Sequence, residues 1–350
     1  MELHPGQELS EISKVDKPWD GHKADNGVIG ALYAENPLYL QYGSRMGDCA
    51  PLLRFGEIAA EDVAEHDRRI KLQKAKFCRV RLCPVCVWRK SLALKARFLA
   101  NWEEAGYKEA CEGFAYIHLV FTVQNPPMAE LRQTIKQMND GFKKLLKRKE
   151  VLPVVKGFIK STEVTRGKGG NPHPHFHVTC AVNPSYFTDR TYISQAKWVA
   201  LWRECLGLDY DPVVSVKRVR DRRKNRKEEE DDLAAALVET VKYSVKASDF
   251  ISADSGGYGP EKQIKKKSDK EYLYGLTEQI KALHFLSSGG CFAGIFKNPR
   301  KADDEVSDNE MLLKNTSNED ETDGLVLTFG WDGKKNYRLR GVSGKTRTPD

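Results

Sequence analysis

The stretch Asn171 to Val182, NPHPHFHVTCAV, places His173, His175 and His177 at every second position. In an extended strand alternate side chains share a face, so the imidazoles of His175 and His177 project together and Phe176 turns into the opposite layer. Two imidazoles side by side are half a metal site. A His-x-His pair also fits two half-buried histidines on an ordinary strand. The metal reading is favoured because three of the chain's eight histidines crowd into this run and because a carboxylate lies just upstream. Gly157 to Arg166, GFIKSTEVTR, alternates like a strand and carries Glu163. The turn GKGGNP joins the two runs, so a hairpin brings Glu163 beside the histidines. One carboxylate with two imidazoles is a mixed N/O set suited to Mg²⁺ or Mn²⁺ assisting phosphate chemistry. The alternative for Glu163 is a solvent-facing strand residue.

A second cluster points to a different ion. Cys78, Cys83 and Cys86 stand in FCRVRLCPVCVWRK, with Cys49 further upstream in RMGDCAPLLRFGE. A Cys-Pro-x-Cys knuckle turns two thiolates toward one ion, and a third cysteine five residues earlier plus a distant fourth completes a tetrahedral Cys₄ set, the donor chemistry of structural Zn²⁺. Buried free cysteines that pack as small apolar groups are the alternative. Eight cysteines in a long chain without a secretory leader favour metal binding or free thiols over a disulfide framework.

At 350 residues the chain can hold one large domain or two, and 40% hydrophobic with 30% charged residues fits a globular protein. The sequence shows neither a membrane-length apolar run nor a signal peptide, so a cytoplasmic location without membrane association is expected. The formal net charge of +8 favours a polyanionic partner.

Residues 1–40 are polar, punctuated by Gly and Pro and without sustained period, and read as a flexible leader. Ser91 to Ala105 has helical spacing. GFAYIHLVFTVQNPP, from Gly113, reads as a central strand stopped by Pro126 and Pro127; its His118 could approach the metal from there, although a lone His on a strand is more often a satisfied core residue. Met128 to Lys149 is an amphipathic helix with a basic end. A helix over Gln195–Leu206 and a strand in DPVVSVKRVR precede the charge block DRRKNRKEEEDD. Leu233 to Ser248 then reads as a helix whose Glu239, Tyr243 and Lys246 share one face. Residues 271–286 look helical, SSGGCFAGIFK reads as a small-residue turn, and the tail holds a possible hairpin around Asp332–Gly333.

With these motifs in hand, the chain resembles the replication initiators of small rolling-circle plasmids, within the HUH class of endonucleases. The resemblance spans roughly Cys49 to Lys297. It rests on the knuckle CRVRLCPVCVWRKSL, the strand HLVFTVQN, the motif HPHFHV and the helix VETVKYSVKASDF, in the family's order. The segment after Cys49 reads CAP where a glycine is usual, and the charge block is enlarged, which bears on DNA specificity. The resemblance implies an α+β fold, an RNA-recognition-like antiparallel sheet with helices on one face, plus a small Cys-zinc subdomain. It implies that His175 and His177 hold a divalent ion, that Tyr243 attacks a DNA phosphodiester to leave a 5′-phosphotyrosine, and that Glu239 promotes the terminating cleavage. Glu163 is then the third metal ligand and Lys246 a group that activates Tyr243. The expected organisation is a leader over 1–40, the Cys₄ knuckle and helix over 41–110, the nicking domain over 111–297 and a polar, partly disordered tail over 298–350. Plasmid DNA is the expected partner, with a host helicase and polymerase acting downstream. A transposase or mobilisation relaxase of the same class, or a zinc-knuckle DNA-binding regulator without catalysis, are the other readings.

Overall fold

A computed structural model describes residues 3–58, 70–219, 260–297 and 322–344. In chain order the elements are α1 (Leu9–Ile12), α2 (Pro18–Ala34), α3 (Leu40–Gly47), β1 (Leu52–Ile58), β2 (Ile70–Ala75), α4 (Pro84–Glu104), α5 (Tyr107–Ala110), β3 (Ala115–Thr122), α6 (Leu131–Leu146), β4 (Val155–Arg166), β5 (Pro172–Val182), α7 (Gln195–Leu206), β6 (Val214–Arg218), α8 (Pro260–Gln279), β7 (Leu286–Gly290), β8 (Thr322–Trp331) and β9 (Tyr337–Ser343). They form two compact units, Met1–Ala96 with Asp303–Asp350, and Arg97–Ala302. Among the described residues no helix is long and apolar enough to cross a membrane.

The second unit is a five-stranded antiparallel sheet of order β6-β3-β5-β4-β7. The alternation seen in the sequence sorts its two faces. Leu119, Phe121, Phe176 and Val178 point to a core closed by Phe142 of α6 and by Trp198, Leu201 and Trp202 of α7. The Phe121 and Trp202 ring centroids lie 4.9 Å apart, and Trp202 donates its indole N–H to the Thr122 carbonyl at 2.9 Å, so this large core side chain is also hydrogen-bonded. Ser194 caps α7 by accepting from the Lys197 N–H, and Gly207, at φ 68°, ends it in the left-handed region. Gly141 of α6 faces Leu206 so closely that a Cβ would collide with its side chain. Here glycine's cost in a helix, about 1 kcal/mol against alanine, is offset by close packing of α6 on α7. The α+β sheet with helices packed on one face is thus the expected architecture.

The first unit holds a four-stranded antiparallel sheet, β2-β1-β8-β9. This changes the reading of both chain ends. Residues expected as a flexible leader include α1 and α2, with Leu9, Ile12, Trp19, Ile29 and Tyr33 buried. The period of α2 was masked because Lys23 and Asn26 are buried too, and because three glycines interrupt the helix. Part of the segment expected as a polar tail is the hairpin β8–β9, with Asp332 and Gly333 at its turn as the sequence suggested, and β8 pairs with β1. The division between the units falls inside α4, at Ala96/Arg97. β7, expected as a turn, pairs with β4; its Gly289 leaves room for the Phe158 ring, which a Cβ would meet at 2.6 Å.

Candidate metal centres and their surroundings

β4 and β5 form the expected hairpin, and its register sets Glu163 directly opposite His175 and Ser161 opposite His177. On the sheet face away from α6 and α7, Glu163 Oε2 lies 3.1 Å from His175 Nε2 and 2.9 Å from His177 Nε2. One ligand atom from each residue fits within 4.8 Å of the others, so the three could hold a metal ion. Burial pushes the Glu163 carboxyl up, but hydrogen bonds from the two imidazoles, reinforced by their charge, overcome it and hold the group at about 2. The carboxylate is therefore ionised at neutral pH, as a ligand must be. The side chain of His177 remains 29% exposed, whereas that of His175 is 11% exposed, so the group opens on one side.

Each imidazole is oriented through its other nitrogen. His175 Nδ1 lies 3.1 Å from the His173 carbonyl, which can only accept, so Nδ1 donates there; Nε2 is the nitrogen facing Glu163, donating to the carboxylate in this arrangement and offering its lone pair where an ion lies between them. His177 Nδ1 lies 3.4 Å from His118 Nε2, and His118 Nδ1 lies 3.2 Å from the Thr179 hydroxyl. If His177 offers Nε2 to a metal, its Nδ1–H donates to His118 Nε2, and His118 Nδ1–H in turn donates to Thr179. The His118 and His177 rings run nearly parallel, 5.6 Å between centroids. His118, read from the sequence as a core histidine, is thus the orienting partner of His177. Only its position opposite Thr179 in the β3–β5 register could have indicated this. His173, the third histidine of the motif, stands aside from the group. Its Nδ1 contacts Asn125 Oδ1 at 2.6 Å.

The end of β4 is anchored by α8. Arg166 pairs with Asp269 at 2.6 Å and stacks over Tyr272, whose hydroxyl donates to the Thr165 carbonyl. The side chains of Asp269 and Arg166 are 2% and 21% exposed, so the pair is shielded and fixes the strand carrying Glu163. Nothing in the local sequence marked this clamp, since its partners lie about a hundred residues apart.

The four cysteines converge in the first unit. Cys49 follows α3, Cys78 follows β2, and Cys83 and Cys86 bracket the first turn of α4; all four are buried. Sγ separations are 3.6 Å for Cys83–Cys49 and 3.7 Å for both Cys49–Cys86 and Cys78–Cys86. A tetrahedron with metal–sulfur bonds of about 2.3 Å requires sulfurs about 3.8 Å apart, so the donor set fits zinc. The Val80 N–H points at Cys78 Sγ, as a knuckle requires. Ala50 and Arg79, each following a cysteine, have φ of 50° and 56°. Such left-handed conformations are unfavourable for residues other than glycine, and here they stand where the chain turns just after Cys49 and Cys78. Hydrogen bonds from the other three thiols push Cys78 well below its usual range, while burial pushes Cys83 up. Lys23 of α2, 5% exposed, donates to the Cys49 carbonyl at 2.5 Å, and Asn26 contacts Cys83. A cationic side chain here balances the negative charge that four thiolates leave on a divalent ion. The supposed leader therefore supplies the cluster's surroundings.

Glu239, Tyr243 and Lys246 lie outside the described residues.

A family model described as a replication protein matches residues 69–338. A protein named Protein rep from Lentilactobacillus hilgardii is 32% identical over 298 residues, covering 84% of this chain and 85% of that one. Another Protein rep, from Lactiplantibacillus plantarum, is 32% identical over 343 residues, 95% of this chain and 98% of its own. A third, from Staphylococcus aureus, is 39% identical over 212 residues, 58% of this chain and 82% of its own. No solved structure matches the chain.

Proposed function

The chain belongs to the replication protein family, and from that premise we propose that it starts rolling-circle replication of a small plasmid by nicking and rejoining one strand of the origin. The observation that carries the reading is the convergence of Glu163, His175 and His177 on one open sheet face, each imidazole turning Nε2 to the carboxylate and Nδ1 to a partner of its own. A bound Mg²⁺ or Mn²⁺ would supply Lewis-acid polarisation of the scissile phosphate and neutralise charge growing in the transition state. The protein's own groups would do the rest.

Tyr243 is the proposed nucleophile. Its phenolic oxygen attacks the scissile phosphorus, the P–O3′ bond breaks, and the phenolic proton passes to the departing 3′ oxygen. This leaves a 5′-phosphotyrosine and a free 3′-OH that primes a host polymerase behind a host helicase. A phenol near its ordinary pKa of about 10 is a weak nucleophile, and Lys246, three residues on in the same expected helix, is the proposed activating group. Glu239 precedes Tyr243 by one turn of the same expected helix, and a carboxylate there can serve as base for a water, closing the last round by irreversible hydrolysis. The cysteine group is assigned a structural Zn²⁺.

The test is incubation of the full chain and Mn²⁺ with an end-labelled single-stranded oligonucleotide carrying its plasmid's nick site. A denaturant-stable protein–DNA adduct is expected, and it should vanish in Tyr243→Phe. A Tyr243→Phe protein that still forms the adduct removes the nucleophile assignment; a wild-type protein that binds but never cuts returns the chain to the non-catalytic regulator. Glu239→Gln should form the adduct yet accumulate multimeric single strands, and normal monomer circles from it would exclude the terminating role.

A further inference from the structure

We propose that the outer face of the β2-β1-β8-β9 sheet docks the phosphate backbone of duplex DNA. Phe55, Leu72, Leu327, Phe329 and Leu339 turn to the buried side of this sheet. On the opposite side Arg54 of β1 is exposed, and the register places it directly across from exposed Lys74 of β2 and from Thr328 of β8. Arg340 of β9, also exposed, extends over Gly330, where a Cβ would lie 2.8 Å from its Nε and 3.4 Å from the Leu52 side chain. Cations from three of the four strands therefore share one face.

Two features separate this face from an ordinary solvated surface. Like charges directly opposite across a strand pair are destabilising, yet Arg54 and Lys74 are paired in this way. The ion pairs of the unit, Lys76 with Asp48 and Arg338 with Glu8 and Asp332, leave these cations out, and among the described residues no carboxylate pairs with Arg54, Lys74 or Arg340. A face that retains uncompensated repulsion is suited to an anionic surface that relieves it. Across four strands it spans about 14 Å at roughly 4.8 Å per strand, and a duplex presents a charge every ~1.7 Å of its axis, so several phosphates come within reach. The second feature selects duplex over single strand. Binding of unpaired bases relies on exposed aromatic platforms, whereas Phe55, Phe329 and Tyr337 are buried and the half-buried Trp331 stands edge-on to Tyr337, 5.2 Å between centroids, on the same inner side, so no aromatic ring of these strands lies on the outer face. Thr328, between Arg54 and β9, adds a hydroxyl donor of the kind that contacts phosphate. The cysteine group braces this face, because Cys49 leads into β1 and Cys78 leaves β2 at the same end of the hairpin.

The proposal rests on the reading of the chain as an origin-cutting protein, which gives it a duplex to hold. The test uses the full chain with a duplex containing its origin, binding being measured by fluorescence anisotropy over a series of salt concentrations. The triple variant Arg54→Ser, Lys74→Ser, Arg340→Ser should bind the duplex at least about tenfold more weakly at low salt, with its log–log salt slope shallower by about 2 to 3. Its melting temperature should hold or rise, because repulsion has been removed, and its cutting of a single-stranded oligonucleotide should persist. Arg54→Lys, Lys74→Arg and Arg340→Lys together, which keep the charge, should retain the slope. Duplex affinity and slope equal to wild type in the triple variant would overturn the surface. Equal losses on duplex and on single strand would overturn its assignment to duplex. A wild-type chain that never cuts its origin strand defeats the functional reading, while one that cuts and whose triple variant holds duplex normally defeats this proposal alone.

Discussion

The two candidate metal centres differ in what they leave open. Four cysteines from three separate segments close on one point, all buried, with two left-handed residues and a buried lysine arranged around them. Glu163, His175 and His177 come from two adjacent strands of one hairpin and leave a partly exposed imidazole on one side. A closed tetrahedron has no position for a substrate and can act only through stability, whereas three donors on an open face leave coordination positions free. Donor chemistry separates the two by ion type; closure separates them by role.

The largest effect expected from breaking this contrast is on cleavage. His175→Ala and His177→Ala should each lower cutting of a single-stranded origin oligonucleotide by about a thousandfold or more, roughly 4 kcal/mol of transition-state stabilisation, while duplex binding changes little. Unimpaired cutting by both variants with the metal chelated would remove the assignment. Cys83→Ser or Cys86→Ser should act in the opposite sense, lowering zinc content and thermal stability by several kcal/mol, since metal binding there is coupled to folding. Elemental analysis and calorimetry check this; full stability in a zinc-free Cys49→Ser protein would break the four-ligand scheme.

A smaller effect sharpens the open centre. His118→Phe should weaken Mn²⁺ binding by roughly 10- to 100-fold, measured by titration calorimetry, because His177 loses the acceptor that fixes its tautomer, and His118→Gln, which can still accept, should recover much of it. Equal Mn²⁺ affinity in wild type and His118→Phe would return His118 to ordinary packing.

The smallest effect concerns the other side of the same sheet. Lys160, on the strand that carries Glu163, points to the helix side, donates to Asn139 Oδ1 at 2.8 Å and lies 4.0 Å from the Phe176 ring centroid. Burial, with the charge of Lys143, pulls its amine down to about 8 from 10.5. Below pH 8 the amine is charged folded and unfolded, and the cost of burying that charge is borne in full. Between pH 8 and 10.5 the folded form sheds its proton first, so stability rises. The wild type should therefore gain stability relative to Lys160→Met across that window in denaturant melts, and a flat difference would mean the amine stays charged in the fold.

How much of this was legible in the sequence follows from where the partners lie. The histidine strand, Glu163 and α7 were readable because each is specified by residues close in sequence: a period of two, a five-residue turn, a Ser cap and a Gly stop. The cysteines were readable by donor type, although the fold around them was not. α2 was missed because Lys23 and Asn26 interrupt its apolar stripe, and they do so because they serve Cys49 and Cys83. His118 looked idle because its partner is 59 positions away, across a strand pair. β7 lacked the side chains that mark a strand, its glycines making room for Phe158.

The insertion of β8 beside β1 has a consequence for synthesis. At roughly 5–20 residues per second, the roughly 260 residues separating these strands take on the order of half a minute to emerge from the ribosome. Throughout that time β1 lacks its inner neighbour, while the strands β3 to β7 become available together and can pair among themselves. The sheet carrying Arg54 and Lys74 is therefore the last part to be completed, and a nascent chain released early lacks it. A truncated product would carry the Glu163–His175–His177 face without the surface proposed to hold duplex DNA, so interrupted translation would part the candidate cutting face from its proposed grip on the duplex.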